Sequence, residues 1–278
     1  MKIKNILLVS VLLLLCGTLY SQDLVILHTN DTHSQIEPVR VGKGKGAGGI
    51  HRRAEYFNQV KAENENVLIL DAGDYNQGTP YFTVFNGDLE IQLMNALGYE
   101  VVAIGNHEFD NGIEELARRL SKATFKTVCA NYDFSGTPLE DLVEPYVIVN
   151  KGGKKIGIIG LTINVKTLVS AQNREGIVYN DVYDVANKLA KQLKKEDKCD
   201  LVIALTHIGY SAYPNQVSDI SLAENTSNID IIIGGNFGQK SADRSHESLL
   251  ISSKNEKEVS MFRQFFISAN SIVYNNWK

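Results

Sequence analysis

The sequence predicts an α/β fold built on mixed sheets that are covered on both faces. Three observations carry that expectation. Seven apolar β-type runs recur along the chain, at 23–31, 66–74, 99–110, 125–133, 145–162, 199–210 and 228–236. Helical patterns lie between several of them, and the runs are apolar almost throughout, as strands buried on both faces are. One run, PYVIVNKGGKKIGIIGLT, turns back on itself at Lys151-Gly152-Gly153, which adds an antiparallel hairpin to the pattern.

The elements follow in chain order. Residues 1–22 read as an export signal: MKIKN is a basic start, ILLVSVLLLLCGTLY is an apolar stretch too short to favour a membrane span, and Ser21-Gln22 is a cleavage point. Cys16 sits in LLLLCG, but Leu15 precedes it where a lipid-attachment signal usually has a small residue. The mature chain is therefore expected in the periplasm or outside the cell, with neither lipid anchor nor transmembrane helix. Helices are expected at 48–64, 87–98, 111–123 and 181–197. The last two place apolar residues three and four apart, with a charged opposite face. The long irregular stretch SQIEPVRVGKGKGAGG, 34–49, is expected as an exposed loop near the site. After signal cleavage only Cys129 and Cys199 remain, and both are expected as buried thiols.

Composition sets wider bounds. The 278 residues are 44% hydrophobic, enough for a sizeable core in one large domain or two small ones. A net charge of -4 argues against nucleic acid as the main partner. It leaves a small anionic substrate open, because a site can be locally positive on an acidic protein.

The strand ends carry the chemistry, since ligands gather at the carboxyl ends of strands in such sheets. The first run presents Asp31 and His33, the second Asp74, the third Asn106, His107 and Asp110, and the sixth His207. Imidazole suits Zn, Fe, Ni and Mn, whereas carboxylate and carbonyl oxygens suit Mg, Ca and Mn. Taken singly, each group has an ordinary explanation. Gly73-Asp74 reads as a turn, Asn106 and Asp110 as helix caps, and His207 as a satisfied core histidine. At four strand ends together they point to one metal site, with two ions bridged by a shared carboxylate.

The order of these groups is Asp31-x-His33, Gly73-Asp74, Gly105-Asn106-His107-Glu108 and a later His207, and it resembles the calcineurin-like metallophosphoesterases. The stretches ILHTNDTHSQIEP, LDAGDYNQGTPYF, NALGYEVVAIGNHEFDNG and LAENTSNIDIIIGG are similar to the catalytic domain of the 5′-nucleotidase and cyclic phosphodiesterase group, over residues 23–236. The resemblance implies a four-layer α/β/β/α sandwich of two mixed sheets with a di-metal site at the strand ends, in a catalytic domain spanning 23–278. It makes Asp31 and His33 ligands of one divalent ion, Asp74 the bridge, and Asn106 and His207 ligands of the second. The metals would be Mn, Zn, Mg or Ca. His107 and Asp110 become a catalytic dyad, for which chemistry gives an independent case: an imidazolium stabilises phosphoryl charge or protonates a leaving group while a carboxylate orients it. Arg52 and Arg53 are candidates to reach phosphate, but a solvated helix face is the favoured expectation.

The pattern departs at the last strand. The family has Gly-His-x-His there, and this chain has Gly235-Asn236-Phe237-Gly238. Asn236 offers only a weak amide-oxygen ligand and Gly238 no side chain; His246 is expected on a surface loop. Beyond 236 the text stops resembling the family, although SLLIS and FFISANSIVY keep strand patterns that could pair into a sheet. Two functions follow. The first is an exported metal-dependent phosphoric ester hydrolase resembling 5′-nucleotidase, acting on a nucleotide or another phosphomonoester. The second is an impaired or inactive binding protein of the same descent. Nucleotidases of the family carry a second domain whose aromatic residues stack on the base, so base recognition is expected from a separate substrate-binding polypeptide or not at all.

Overall fold

The computed structural model describes residues 24–40, 45–210 and 217–236, together with three strand segments beyond them, 249–251, 263–268 and 271–275. Among the described residues the strands are β1 (Val25–Thr29), β2 (Val67–Asp71), β3 (Val101–Ala103), β4 (Lys126–Val128), β5 (Tyr132–Asp133), β6 (Val143–Glu144), β7 (Tyr146–Lys151), β8 (Lys154–Thr162), β9 (Val178–Tyr179), β10 (Leu201–His207), β11 (Ile231–Gly234), β12 (Leu249–Ile251), β13 (Arg263–Ser268) and β14 (Ser271–Asn275). The helices are α1 (Ile50–Glu63), α2 (Pro80–Phe85), α3 (Asp88–Leu97), α4 (Ile113–Leu120), α5 (Val182–Lys195) and α6 (Asp219–Asn225).

Two mixed sheets form. One has the order β14-β13-β1-β2-β3-β4-β6, parallel except for β14. The other has the order β12-β11-β10-β8-β7, with antiparallel strands at both edges. A short pair, β5-β9, stands apart.

The alternation of side chains explains why the strand text is so continuously apolar. In β1 and β2, Val25, Leu27, Val67 and Ile69 face one core with α1, α3 and α4. Ile26, Leu68 and Leu70 face the opposite sheet, where they meet Ile203, Leu205, Ile231 and Ile233. On the far side, Val202, Ala204 and Ile232 pack beneath α5 and α6. Each strand therefore feeds two cores, and three apolar interfaces separate four layers. This is the α/β/β/α sandwich that the sequence predicted.

Helix ends are fixed by local chemistry. The Asp181 carboxylate accepts from Tyr183 N–H and Asp184 N–H at 2.9 and 3.0 Å, which caps α5, and Lys194 and Lys195 close it at its negative end. In α4, Glu114 and Glu115 open the helix and Arg118 and Arg119 close it.

Some expectations are refined. The run 99–110 yields only three strand residues before a 3-10 turn at His107–Phe109. The run 125–133 splits into β4 and β5. The loop 34–49 is not simply exposed: Ser34 is buried, and Val39 and Gly46 pair with Ala47 and Val39 through their backbones. The late apolar runs join different sheets. Leu249 pairs with Ile233 of β11, whereas Phe265 pairs with Leu27 of β1. Cys129 and Cys199 are free and buried, as expected. The export signal expected at 1–22, including Cys16, falls outside the described residues, and no described helix is long and apolar enough to cross a membrane.

The sheets approach closely at Gly160. A Cβ there would collide with the Val128 carbonyl of the facing sheet, and Ala130 N–H donates to Gly160 O at 2.8 Å. Gly160→Ala is expected to destabilise the fold by about 1–3 kcal/mol, the usual cost of overpacking. Urea unfolding measures it, and an unchanged midpoint would mean that the sheets can part without cost.

Candidate metal centre

The ends of β1, β2, β3, β10 and β11 converge on Asp74. The backbones of the first two stay paired past the strands: Asp31 N–H donates to Gly73 O at 2.9 Å and His33 N–H to Asp74 O at 3.0 Å. They do so in left-handed geometry, with φ of 49° at Asp31, 46° at His33 and 56° at Asp74; Asn236 shares it at 67°. Four of the nine non-glycine residues with positive φ among the described residues are thus predicted ligands. Each such conformation costs on the order of 1–3 kcal/mol and persists where surrounding structure enforces it, which happens most often at functional sites.

Asp74 is 3% exposed, and its two carboxylate oxygens face different partners. Oδ1 accepts from His107 N–H at 2.9 Å. Oδ2 lies 3.0 Å from His207 Nε2 and 4.0 Å from His33 Nε2. Two groups of ligand-capable atoms share this carboxylate, Asp31-Asp74-His207 and His33-Asp74-His107. The resemblance pairs Asp31 with His33, and the two lie 3.9 Å apart, His33 Nε2 to Asp31 Oδ1; Asp31 is also grouped with His207 through the shared Asp74.

The donor chemistry fits a cation. His207 is fully buried, and its Nδ1–H donates to the Ala72 carbonyl at 2.7 Å, so a neutral ring presents a bare lone pair at Nε2. That lone pair faces Asp74 Oδ2 outside hydrogen-bond geometry. Two electron-rich atoms in a dry pocket need positive charge between them. Without a metal a proton supplies it. Burial lowers the His207 pKa, but Asp74, Asp31 and the Ala72 carbonyl outweigh burial and raise it to about 10. Burial pushes Asp74 up, yet His207, His107 and His33 hold it down at about 2. Asn106 contributes a buried Oδ1 with no partner among the described residues. Asn106 lies between Gly105, which packs against Asp74, and His107, whose N–H donates to Asp74, and a buried amide oxygen without a partner is a group a divalent cation can satisfy.

His107 stands at the open side, one-third exposed, with its ring edge-on to His33 at 5.2 Å. Its Nδ1 and Asp110 Oδ2 are 2.7 Å apart. The hydrogen bond to Asp110 raises its pKa to about 9, with Asp74 adding to the effect. His107 is therefore an imidazolium at neutral pH in the metal-free chain.

The sequence reading assigned no role to Glu108. It is fully buried, and its carboxylate accepts from Asp74 N–H at 2.8 Å, Gly105 N–H at 2.7 Å and Asn76 N–H at 3.2 Å. It braces the turns that carry Asp74 and Asn106. Fully buried Arg119 in turn donates to the Glu108 carbonyl at 2.7 Å.

The last turn uses its backbone. Asn236 N–H reaches both Asp31 carboxylate oxygens, at 3.1 and 3.0 Å. A Cβ at Gly235 would lie 2.7 Å from His207 Nδ1 and 2.8 Å from Ala72 O, so glycine is needed there for close approach. Gly238 and His246 lie outside the described residues. Arg52 caps the preceding loop by donating to the Gly46 and Gly48 carbonyls. The solvated-face expectation fails for Arg53, which is buried, with Asp71 and Tyr99 in its electrostatic reach.

In the metal-free chain, Asp110→Asn is expected to lower the His107 pKa from about 9 toward the ordinary value of about 6.5. NMR titration of the imidazole reads this directly. The sign for stability follows: the ion pair contributes fully below about pH 6.5 and is lost as pH rises through the folded value.

The sequence profile of the calcineurin-like phosphoesterases matches residues 24–235. A trifunctional nucleotide phosphoesterase of Bacillus subtilis is 33% identical over 77% of this chain and 16% of its own length. Human 5′-nucleotidase is 34% identical over 77% of this chain and 38% of its own length. The crystal structure of a 5′-nucleotidase precursor from Thermus thermophilus superposes with a TM-score of 0.67 at 37% identity, covering 75% of this chain and 41% of that one. The match thus spans less than half of each relative's length. A profile match across most of the chain, joined to strand-end ligand groups that share Asp74, places this chain in the calcineurin-like phosphoesterase family.

Proposed function

We propose that the chain is an exported metal-dependent phosphomonoesterase that hydrolyses nucleoside monophosphates. One observation carries the reading: a single buried carboxylate, Asp74, is common to two groups of ligand-capable side chains, Asp31-Asp74-His207 and His33-Asp74-His107, in the second of which His107 is assigned to proton transfer and not to coordination. That is the arrangement that holds two divalent ions about 3.5–4 Å apart. Asp31, His33, Asn106 and His207 would complete the coordination, and the imidazoles favour Mn or Zn over Mg or Ca. Bound ions would supply Lewis acidity toward the phosphoryl oxygens and activation of water. His107, kept protonated by Asp110, would place positive charge against the transferring phosphoryl group and give a proton to the leaving oxygen. The relatives named as nucleotidases support nucleotides as the substrate class. Export rests on the text of residues 1–22.

A second reading, an impaired or non-catalytic binding protein, is favoured by Asn236 standing where the family pattern has a histidine. A phosphate-release assay over AMP and sugar phosphates, with p-nitrophenol release read for bis-p-nitrophenyl phosphate, separates the two. The chain loaded with Mn or Zn is expected to release phosphate from AMP, and chelation is expected to abolish the release. A chain that retains neither metal and leaves AMP intact would sink the enzyme reading. The pair Asn236→His and Gly238→His is expected to raise metal content and rate; no change would mean that the missing ligands belong elsewhere.

Metal entry must also displace the His207 proton, because a ligating imidazole is neutral. Binding near neutral pH is expected to release protons, and apparent affinity to rise with pH. Calorimetry in buffers of different ionisation enthalpy counts them. Zero protons released would contradict His207 as a ligand.

A further inference from the structure

The core holds a small polar cavity of about 20 Å³. A space of that size takes one guest about as large as a water molecule. Ser34, Tyr75 and Glu90 line it, and all three are buried. The Ser34 hydroxyl, the Tyr75 hydroxyl and both oxygens of the Glu90 carboxylate have no hydrogen-bond partner among the described residues. Buried polar atoms normally have one, and a bare carboxylate is the costliest of these to leave without. Ser34 follows His33 in the chain and Tyr75 follows Asp74. Ser34 N–H donates to Tyr75 O at 3.0 Å, so two of the lining side chains come from one backbone pair.

Charge sharpens the case. Glu90 stands in the first turn of α3, where the helix dipole favours a carboxylate, yet no N–H donates to it. The neighbouring charges are already matched. Asp71 accepts from Thr29 Oγ1 and from Gly73 N–H, the latter at 2.9 Å, and Arg53 acts on it. Arg53 also lines the cavity, but Asp71 and a hydrogen bond with Tyr99 take up its guanidinium. Tyr75 lies in the electrostatic reach of Asp71, Glu90, Glu108 and Arg119. Asp71, Glu90 and Glu108 make three buried carboxylates against two buried guanidiniums, Arg53 and Arg119, which leaves one negative charge unmatched. Without a cation a proton has to make up the difference, and burial pushes Asp71 up to about 7.

We propose that this cavity is a site for one potassium-sized alkali cation, held by the Glu90 carboxylate and the Ser34 and Tyr75 hydroxyls. All the donors are oxygens, the ligands of hard cations. Burial raises the Tyr75 pKa well above its ordinary value, so Tyr75 stays a neutral oxygen donor. One unmatched charge calls for a monovalent ion. Magnesium keeps several waters, for which the cavity has no room, and calcium takes more oxygens than these side chains offer. The ion ties α3 to the turns after β1 and β2, and so braces the segments that bear His33 and Asp74.

The test uses the full chain in saturating Mn, so that the Asp74 centre does not compete for the alkali ion. Melting is compared in KCl and choline chloride at equal ionic strength. KCl is expected to raise Tm by roughly 3–6 °C at about ten times the Kd for potassium. Choline is too large for the cavity and is expected to give no rise. Glu90→Gln keeps the shape, removes the charge and is expected to lose the rise. Tyr75→Phe removes one oxygen and is expected to move the response to higher KCl. Equal Tm in the two salts overturns the site. So does a rise of full size in Glu90→Gln, because the ion would then sit elsewhere. A second measurement needs no variant: crystals of the unaltered chain are soaked in thallium(I) acetate, thallium standing in for potassium. An anomalous peak beside the Glu90 carboxylate supports the site. No anomalous peak there, whether the cavity holds water or nothing, overturns it.

Discussion

The contact between Asp74 and His207 is the constraint on which the rest depends. A buried carboxylate faces a buried imidazole whose other nitrogen is committed to the Ala72 carbonyl. The pair is stable only with positive charge between its two acceptor atoms. To bring them together, the two sheets must meet at their carboxyl ends, which is why Gly160 and Gly235 sit where a side chain would collide. The left-handed backbone at Asp31, His33 and Asp74 is a cost of the same convergence. Glu108 offsets it by accepting three backbone N–H groups from the turns concerned. A proton at His207 competes with a cation for this place, which links cation binding to pH.

Much of this was legible in the sequence because the chemistry is written in residue types at strand ends. Asp31, His33, Asp74, Asn106, His107 and His207 stand at those ends; the structure groups all but Asn106 around Asp74, and Asn106 precedes His107, whose N–H donates to Asp74. Their roles as ligands remain part of the proposed function. The continuous apolar runs gave the sandwich, since each strand must satisfy two cores. What escaped has physical causes. Helix α2 is six residues long, shorter than two turns, and stops at left-handed Asn86, so no helical period could develop. Arg53 sits on a helix whose charged text reads as solvated, but its side chain is drawn inward beside Asp71 and Tyr99. Glu108 acts through backbone N–H groups, which carry no residue identity.

The altered turn after β11 is informative in the same way. Side chains suggested a site that had lost ligands. The backbone tells a different story, because Asn236 N–H holds Asp31 and Gly235 lets His207 approach. These two functions depend on a tight turn and not on histidine. The turn can therefore keep the centre in shape while its side-chain chemistry changes. Two late strands also join the sheets, β12 on β11 and β13 on β1, so the text beyond 236 contributes to both layers.

Asp74 is expected to bridge two cations. Diffraction from crystals grown with Mn, collected at the metal's absorption edge, tests it most directly. The account predicts two anomalous peaks about 3.5–4 Å apart, both within bonding distance of the Asp74 carboxylate, one of them also at His207 Nε2. A single peak away from Asp74, or none at saturating metal, would contradict it.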